Sequence, residues 1–177
     1  IHIYYLFLKE KYDLIIQKSF DVGLEKLLSN FLIHKDYSNK DAWTSYRIGE
    51  AFFKTGDLKK ALLFYQQSVK LAPYNLEFRN KYGVCLFNQN KISFAIDEFN
   101  FILNEDNNFI SAYTNLGYIY FINGDIEKAL QNYNYALKLD PHHEKTLVNQ
   151  AELLLFDNKL KDALICVQKV LNINPNN

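Results

Sequence analysis

Charge of one sign is the first thing missing. Lys and Arg total 20, Asp and Glu total 20, and the formal net charge of the 177 residues is zero. No global field steers such a chain onto nucleic-acid phosphates, and no nucleic-acid partner is expected. Long apolar runs are missing as well: nothing approaches the roughly 20 apolar residues of a spanning helix. The opening Ile1-His2-Ile3-Tyr4-Tyr5-Leu6-Phe7-Leu8 is soon interrupted by Lys9-Glu10-Lys11, so membrane insertion by this segment is not expected. Three prolines and six glycines are too few for a turn-dense sandwich or barrel, for collagen, or for a flexible linker. Cys85 and Cys166 stand far apart, without a C-x-x-C or a neighbouring His. That leaves zinc, dithiol-redox and covalent-haem signatures unfilled. Two lone thiols suit a reducing compartment and tilt the expected location towards the cytoplasm, the periplasm staying open if the chain is attached to an exported protein. What remains, at 49% hydrophobic and 23% charged, is a foldable chain whose default is long helices.

The few glycines and prolines fall in a frame. Gly49, Gly83 and Gly117 recur at a spacing of 34, as do Pro141 and Pro175, with Pro73 two periods before Pro141. Four units follow without insertion or deletion, 42–75, 76–109, 110–143 and 144–177. Position 8 reads Gly49, Gly83, Gly117, Ala151, and position 20 reads Ala61, Ala95, Ala129, Ala163. Small residues recur where helices must approach closely. Position 24 reads Tyr65, Phe99, Tyr133, Val167, and position 28 reads Val69, Leu103, Leu137, Leu171, where a core must be filled. Positions 4, 7, 8 and 11 share one helical face and 17, 20, 24, 27 and 28 another, so each unit is two amphipathic helices. Gly56, Asn90, Gly124 and Asn158 sit in the turn between them, residues that accept the left-handed conformation ending a helix. Pro73, Pro141 and Pro175 stop the second helix, Asn107 taking that slot in the second unit. A degenerate helical pair is expected over 1–41, where Val22-Gly23-Leu24-Glu25-Lys26-Leu27 parallels Gly56-Asp57-Leu58-Lys59-Lys60-Ala61.

These residues resemble the tetratricopeptide repeat, whose 34-residue pattern is W-x2-L-G-x2-Y, then A-x3-F, then P. The third unit matches best, with Tyr113, Leu116, Gly117, Tyr120, Ala129, Tyr133 and Pro141 at those places. The resemblance covers 42–177 and implies an all-α fold, a right-handed α-solenoid (superhelix) of antiparallel helix-turn-helix units forming one continuous domain with the N-terminal pair. It also implies a concave surface built from the first helix of every unit, which holds a protein or peptide partner. Carried over by position, the groove would be lined by Tyr46, Arg47, Glu50, Phe53 and Lys54 in the first unit, and by Asn80, Lys81, Val84 and Phe87 in the second. The third would add Thr114, Asn115, Tyr118 and Phe121, and the fourth Asn149 and Glu152. Phe53, Phe87, Phe121 and Leu155 form an apolar ladder at position 12.

Family members that grip the acidic C-terminal tails of heat-shock chaperones do so with Lys, Asn and Arg at positions 5 and 9. Here only Asn80 could serve, and Glu50 and Glu152 would repel a carboxylate. An apolar or amphipathic segment is therefore the expected partner. No active-site or phosphate-binding motif occurs, and His142-His143, adjacent in a turn, would chelate poorly. Catalysis, a cofactor and a metal are not expected. The chain lacks an initiating Met and stops on a repeat boundary at Pro175-Asn176-Asn177, which reads as part of something longer. The alternative function is accordingly an assembly element forming the C-terminal part of a larger enzyme, membrane or redox protein. The last helix carries apolar residues and no capping helix follows it in this sequence, which leaves room for self-association through the C-terminal repeat.

Overall fold

The computed structural model describes residues 41–173. The pair expected over 1–41, Asp41 apart, and the stop expected at Pro175 lie outside the described residues. Among the described residues the structure is all-α: α1 (Ala42–Lys54), α2 (Leu58–Leu71), α3 (Leu76–Asn88), α4 (Ile92–Glu105), α5 (Ile110–Ile122), α6 (Ile126–Leu139), α7 (Glu144–Phe156) and α8 (Leu160–Ile173). The odd-numbered helices start at residues 42, 76, 110 and 144, the even-numbered at 58, 92, 126 and 160. Both series carry the period of the sequence.

Local chemistry sets the ends. The side chains of Asp41, Asp57, Asn75 and Asp125 accept hydrogen bonds from the amides of Thr44, Lys60, Phe78 and Lys128, satisfying N–H groups that have no partner within the helix. Between paired helices the chain turns through positive φ at Gly56 (82°), Asn90 (59°), Gly124 (81°) and Asn158 (58°). A Cβ on Gly56 or Gly124 would meet nothing within 4 Å. Backbone conformation, not space, is what asks for glycine there.

The described residues divide into two compact units, 41–90 and 91–173. In the N-terminal unit, Ile48 and Phe52 of α1 meet Ala61, Tyr65 and Val69 of α2, and Phe78 and Cys85 of α3 complete the cluster. The spacing of four in Ala61, Tyr65 and Val69 aligns them on one stripe of α2. Phe78 stacks on Tyr46 (centroids 4.8 Å apart, planes at 24°) and meets the edge of Trp43 at 4.8 Å. Burying the Tyr46 and Phe78 rings contributes roughly 1.5–3 kcal/mol each by area. At the end of α3, Gln89 donates to the Leu58 carbonyl from its amide nitrogen.

In the C-terminal unit the core joins Ala129 and Tyr133 of α6, Ala151, Leu153 and Leu154 of α7, and Ala163 and Cys166 of α8. Its interior is more polar. Thr114 and Thr146 hydroxyls lie 2.6 Å apart, and Gln150 donates to Asn134 (2.9 Å) while accepting from the Cys166 thiol (3.5 Å). Burial pushes the Cys166 thiol above its ordinary pKa and keeps it a neutral donor.

The position-8 glycines now have a cause. A Cβ on Gly49 would stand 2.8 Å from the Tyr65 ring, and one on Gly117 only 2.5 Å from the Tyr133 ring. Both are closer than any non-bonded carbon pair tolerates. The fourth unit has Ala151 at this position and Val167 in place of the ring: a Cβ appears where the aromatic is gone.

Candidate partner-binding faces

In the N-terminal unit the α1 face holds Trp43, Arg47 and Lys54 exposed and Glu50 and Phe53 half-buried. Glu50 is the centre of a network. It accepts a 2.6 Å hydrogen bond from the Tyr65 hydroxyl and pairs with Lys81 of α3 at 3.4 Å. Burial, and then the bond to Glu50, push Tyr65 well above the usual phenol range. From the repeat frame alone Lys81 and Glu50 are separate lining charges, with Glu50 repelling carboxylates. The structure joins them, so their charges cancel locally. A separation of 31 residues, three short of the repeat, brings position 6 of one unit against position 9 of the preceding one.

Tyr46 is buried, not lining. Phe78 covers one face of its ring, the Arg47 guanidinium stands 6.0 Å from its centroid, and desolvation raises its pKa, with the Glu50 and Glu77 charges adding to the effect. Asn80 is buried too, while Val84 and Phe87 are half-buried.

In the C-terminal unit two more expected lining residues are withdrawn from solvent. Thr114 is fully buried because its hydroxyl meets Thr146 and bonds back to the Ile110 carbonyl (3.1 Å). Asn115 is buried beneath Lys145, whose ammonium donates to its side-chain oxygen at 3.1 Å. Tyr118, Phe121 and Asn149 are half-buried and Glu152 is exposed. The Phe121 ring meets the edge of Phe156 at 5.7 Å. Of the position-12 ladder, Phe53, Phe87 and Phe121 are half-buried and Leu155 is exposed.

On the odd-numbered helices of this unit the exposed large apolar side chains are Ile122, Val148, Leu155 and Phe156, the last 70% exposed, while α4, α6 and α8 expose Phe94, Tyr135, Leu139, Leu160, Leu164, Ile165, Val167 and Leu171. The first four stand at positions 5, 12 or 13. Position 13 changes character along the chain, Lys54 and Asn88 preceding Ile122 and Phe156. The buried Tyr133 hydroxyl makes no hydrogen bond. Its pKa is raised by burial and by the Glu152 charge.

His143 is tied into the structure, its Nδ1 2.7 Å from the Thr146 hydroxyl. Among the described residues no group of three His, Cys, Asp or Glu is placed to hold a metal ion, and no helix is long and apolar enough to cross a membrane.

Family models described as "Tetratricopeptide repeat" match residues 110–143 and 44–75. A curated relative, stress-induced-phosphoprotein 1 of Caenorhabditis elegans, is 28% identical over 97 residues, 55% of this chain and 30% of its own length. The chain thus spans under a third of that relative. Among solved structures, MamA 41-end from Desulfovibrio magneticus RS-1 superposes with a TM-score of 0.72 at 20% identity, covering 94% of each chain. YrrB, titled "a TPR protein with an unusual peptide-binding site", superposes at 0.63 with 17% identity, covering 91% of this chain and 84% of its own. At those identities the likeness is one of fold: helical hairpins repeated as an α-solenoid.

Proposed function

We propose that this chain, which belongs to the tetratricopeptide-repeat proteins, is a non-catalytic module that binds a protein segment on the faces of its first helices. The observation carrying this reading is the exposed apolar set Ile122, Val148, Leu155 and Phe156, with half-buried Tyr118 and Phe121 beside them in the repeat frame. Apolar surface at the positions the family turns to its partner suits an apolar or amphipathic segment. Arg47, Lys54, Val84 and Phe87 offer a mixed face in the N-terminal unit, and Asn149 and Glu152 edge the other. An acidic tail is disfavoured, because Lys81 already pairs with Glu50 and Lys145 already holds Asn115. The YrrB title supports peptide binding on a fold of this kind.

The test is fluorescence anisotropy with the full chain and two labelled probes, an amphipathic helical peptide and an acidic peptide with a free C-terminal carboxylate. The amphipathic probe is expected to bind the more tightly, and Leu155→Ala with Phe156→Ala to weaken it about tenfold, or 1.4 kcal/mol. Tighter binding of the acidic probe, or indifference to the double substitution in a folded protein, would sink the reading.

A further inference from the structure

Charge is segregated between the second helices of the repeats. α6 carries Glu127 with Lys128 and Lys138, and α8 carries Asp162 with Lys161 and Lys169, so each of these mixes both signs. α2 carries Lys59, Lys60 and Lys70 and no acid, whereas α4 carries Asp97, Glu98 and Glu105 and no base. Lys60 is engaged by Asp57, the cap of its own helix. Lys59, Lys70, Asp97 and Glu105 are exposed, and none of the four forms an ion pair among the described residues.

Each helix sets these charges beside apolar surface on one stripe. On α2, Lys59, Leu63, Gln66 and Lys70 follow at i, i+4, i+7 and i+11, all of them exposed and Leu63 at 64%. On α4, Phe94, Asp97, Phe101 and Glu105 follow at i, i+3, i+7 and i+11, with Phe94 61% exposed and Phe101 half-buried. A rise of about 1.5 Å per residue puts Lys59 about 16 Å from Lys70 and Asp97 about 12 Å from Glu105. Flexible lysine stems span that difference.

We propose that the exposed stripe of α2 docks on the exposed stripe of α4 in a second copy of this chain. Laid antiparallel, with the helix dipoles opposed, Lys59 faces Glu105, Leu63 faces Phe101, and Lys70 faces Asp97 with its stem along the Phe94 ring. One register satisfies all three pairings. Charge complementarity identifies the occupant, since the basic and apolar face that fits the acids and rings of α4 is carried by the same, overall neutral chain. The two faces differ, so the contact is heterologous: each copy offers α2 to one neighbour and α4 to another. A single helix pair buries less than a stable dimer needs, so the association is weak, and its exposed charges make it sensitive to salt. It uses second helices alone and stands apart from the partner-binding faces of the first helices.

Sedimentation velocity of the full chain over a concentration series is the test. The mean mass should rise with concentration in about 50 mM salt and return to that of the monomer in about 0.5 M. Lys59→Glu with Lys70→Glu should be monomeric, and so should Asp97→Lys with Glu105→Lys, because each pair of changes sets like charges face to face. All four substitutions in one chain, whose net charge is again zero, should restore association. Circular dichroism checks that each variant is folded; where the fourfold variant is not, mixing the two double variants should restore association instead. Lys138→Glu with Lys169→Glu, which alters net charge as the first variant does but on α6 and α8, should associate like the unaltered chain. Leu155→Ala with Phe156→Ala should also associate unchanged, whatever it does to peptide binding. An unaltered chain that stays monomeric, a reversal of charge on both faces that restores nothing, or equal loss in either control would overturn the proposal.

Discussion

The hairpins α1/α2 and α5/α6 set the same tyrosine over the same glycine and finish it differently. Tyr65 lies on Gly49 and Tyr133 on Gly117, and both rings are buried. The Tyr65 hydroxyl is held by Glu50, which Lys81 neutralises. In the repeat frame Tyr118 stands for Glu50 and Asn149 for Lys81, and the Tyr133 hydroxyl is left without a hydrogen bond. The ring and the glycine belong to the fold, since removing either opens or jams a helix crossing. The polar end belongs to the individual unit and varies without disturbing the crossing.

The largest effect tests the shared part. Tyr65→Ala and Tyr133→Ala should each cost about 3–5 kcal/mol in chemical denaturation, through lost burial and a residual cavity. A difference between them larger than about 2 kcal/mol would mean the rings are not equivalent. Next, Gly117→Ala should cost about 1–3 kcal/mol by overpacking against the Tyr133 ring, and Ala129→Leu, fully buried on α6, a similar amount. In a Tyr133→Val background, which mimics the Ala151 and Val167 combination, Gly117→Ala should cost markedly less. Additivity in that double-mutant cycle would refute the clash.

The polar ends separate at smaller energies. Tyr65→Phe should lose about 1.5 kcal/mol, the lower end for a hydrogen bond to a charged group, because Glu50 keeps Lys81. Tyr133→Phe should be neutral or slightly stabilising, since it removes an unsatisfied buried hydroxyl. Equal losses at both sites would end the contrast.

The smallest effect is a shared one, at the caps of α2 and α6. Bonds from Lys60 and Lys128 hold the Asp57 and Asp125 carboxyls below their ordinary value of 3.8. A carboxylate lowered in the folded state adds stability above its unfolded pKa and loses it as pH falls through the folded one. Asp57→Asn with Asp125→Asn should therefore flatten the loss of stability below about pH 3.8, read as thermal midpoint against pH. An unchanged slope would show that neither cap titrates with folding.

Much of this was legible in one chain because the repeat supplies internal replicates. Helix spacing, the left-handed turns and the buried alanines at position 20 all appear as periodic residue types. The faces around Tyr46 and Asn80 in one unit, and around Thr114 and Asn115 in the other, were not legible. A position in the frame specifies an azimuth on its own helix, but whether that azimuth is open depends on what the neighbour presents. Phe78 closes Tyr46, Thr146 closes Thr114 and Lys145 closes Asn115. The Glu50 and Lys81 pair was hidden for the same reason, although opposite charges 31 residues apart offered a signal.

By itself, the amino-acid sequence determined the elements: which segments are helices, where they turn, and at which positions small residues recur. Those follow from backbone propensity and short-range periodicity, and both are written locally. Tertiary structure decided the rest, namely which carboxylate meets which ammonium, which small residue lies beneath which ring, and which lining residues are sealed. Each of those depends on the distance between side chains far apart along the chain, and only the packing of one helix on the next sets that distance.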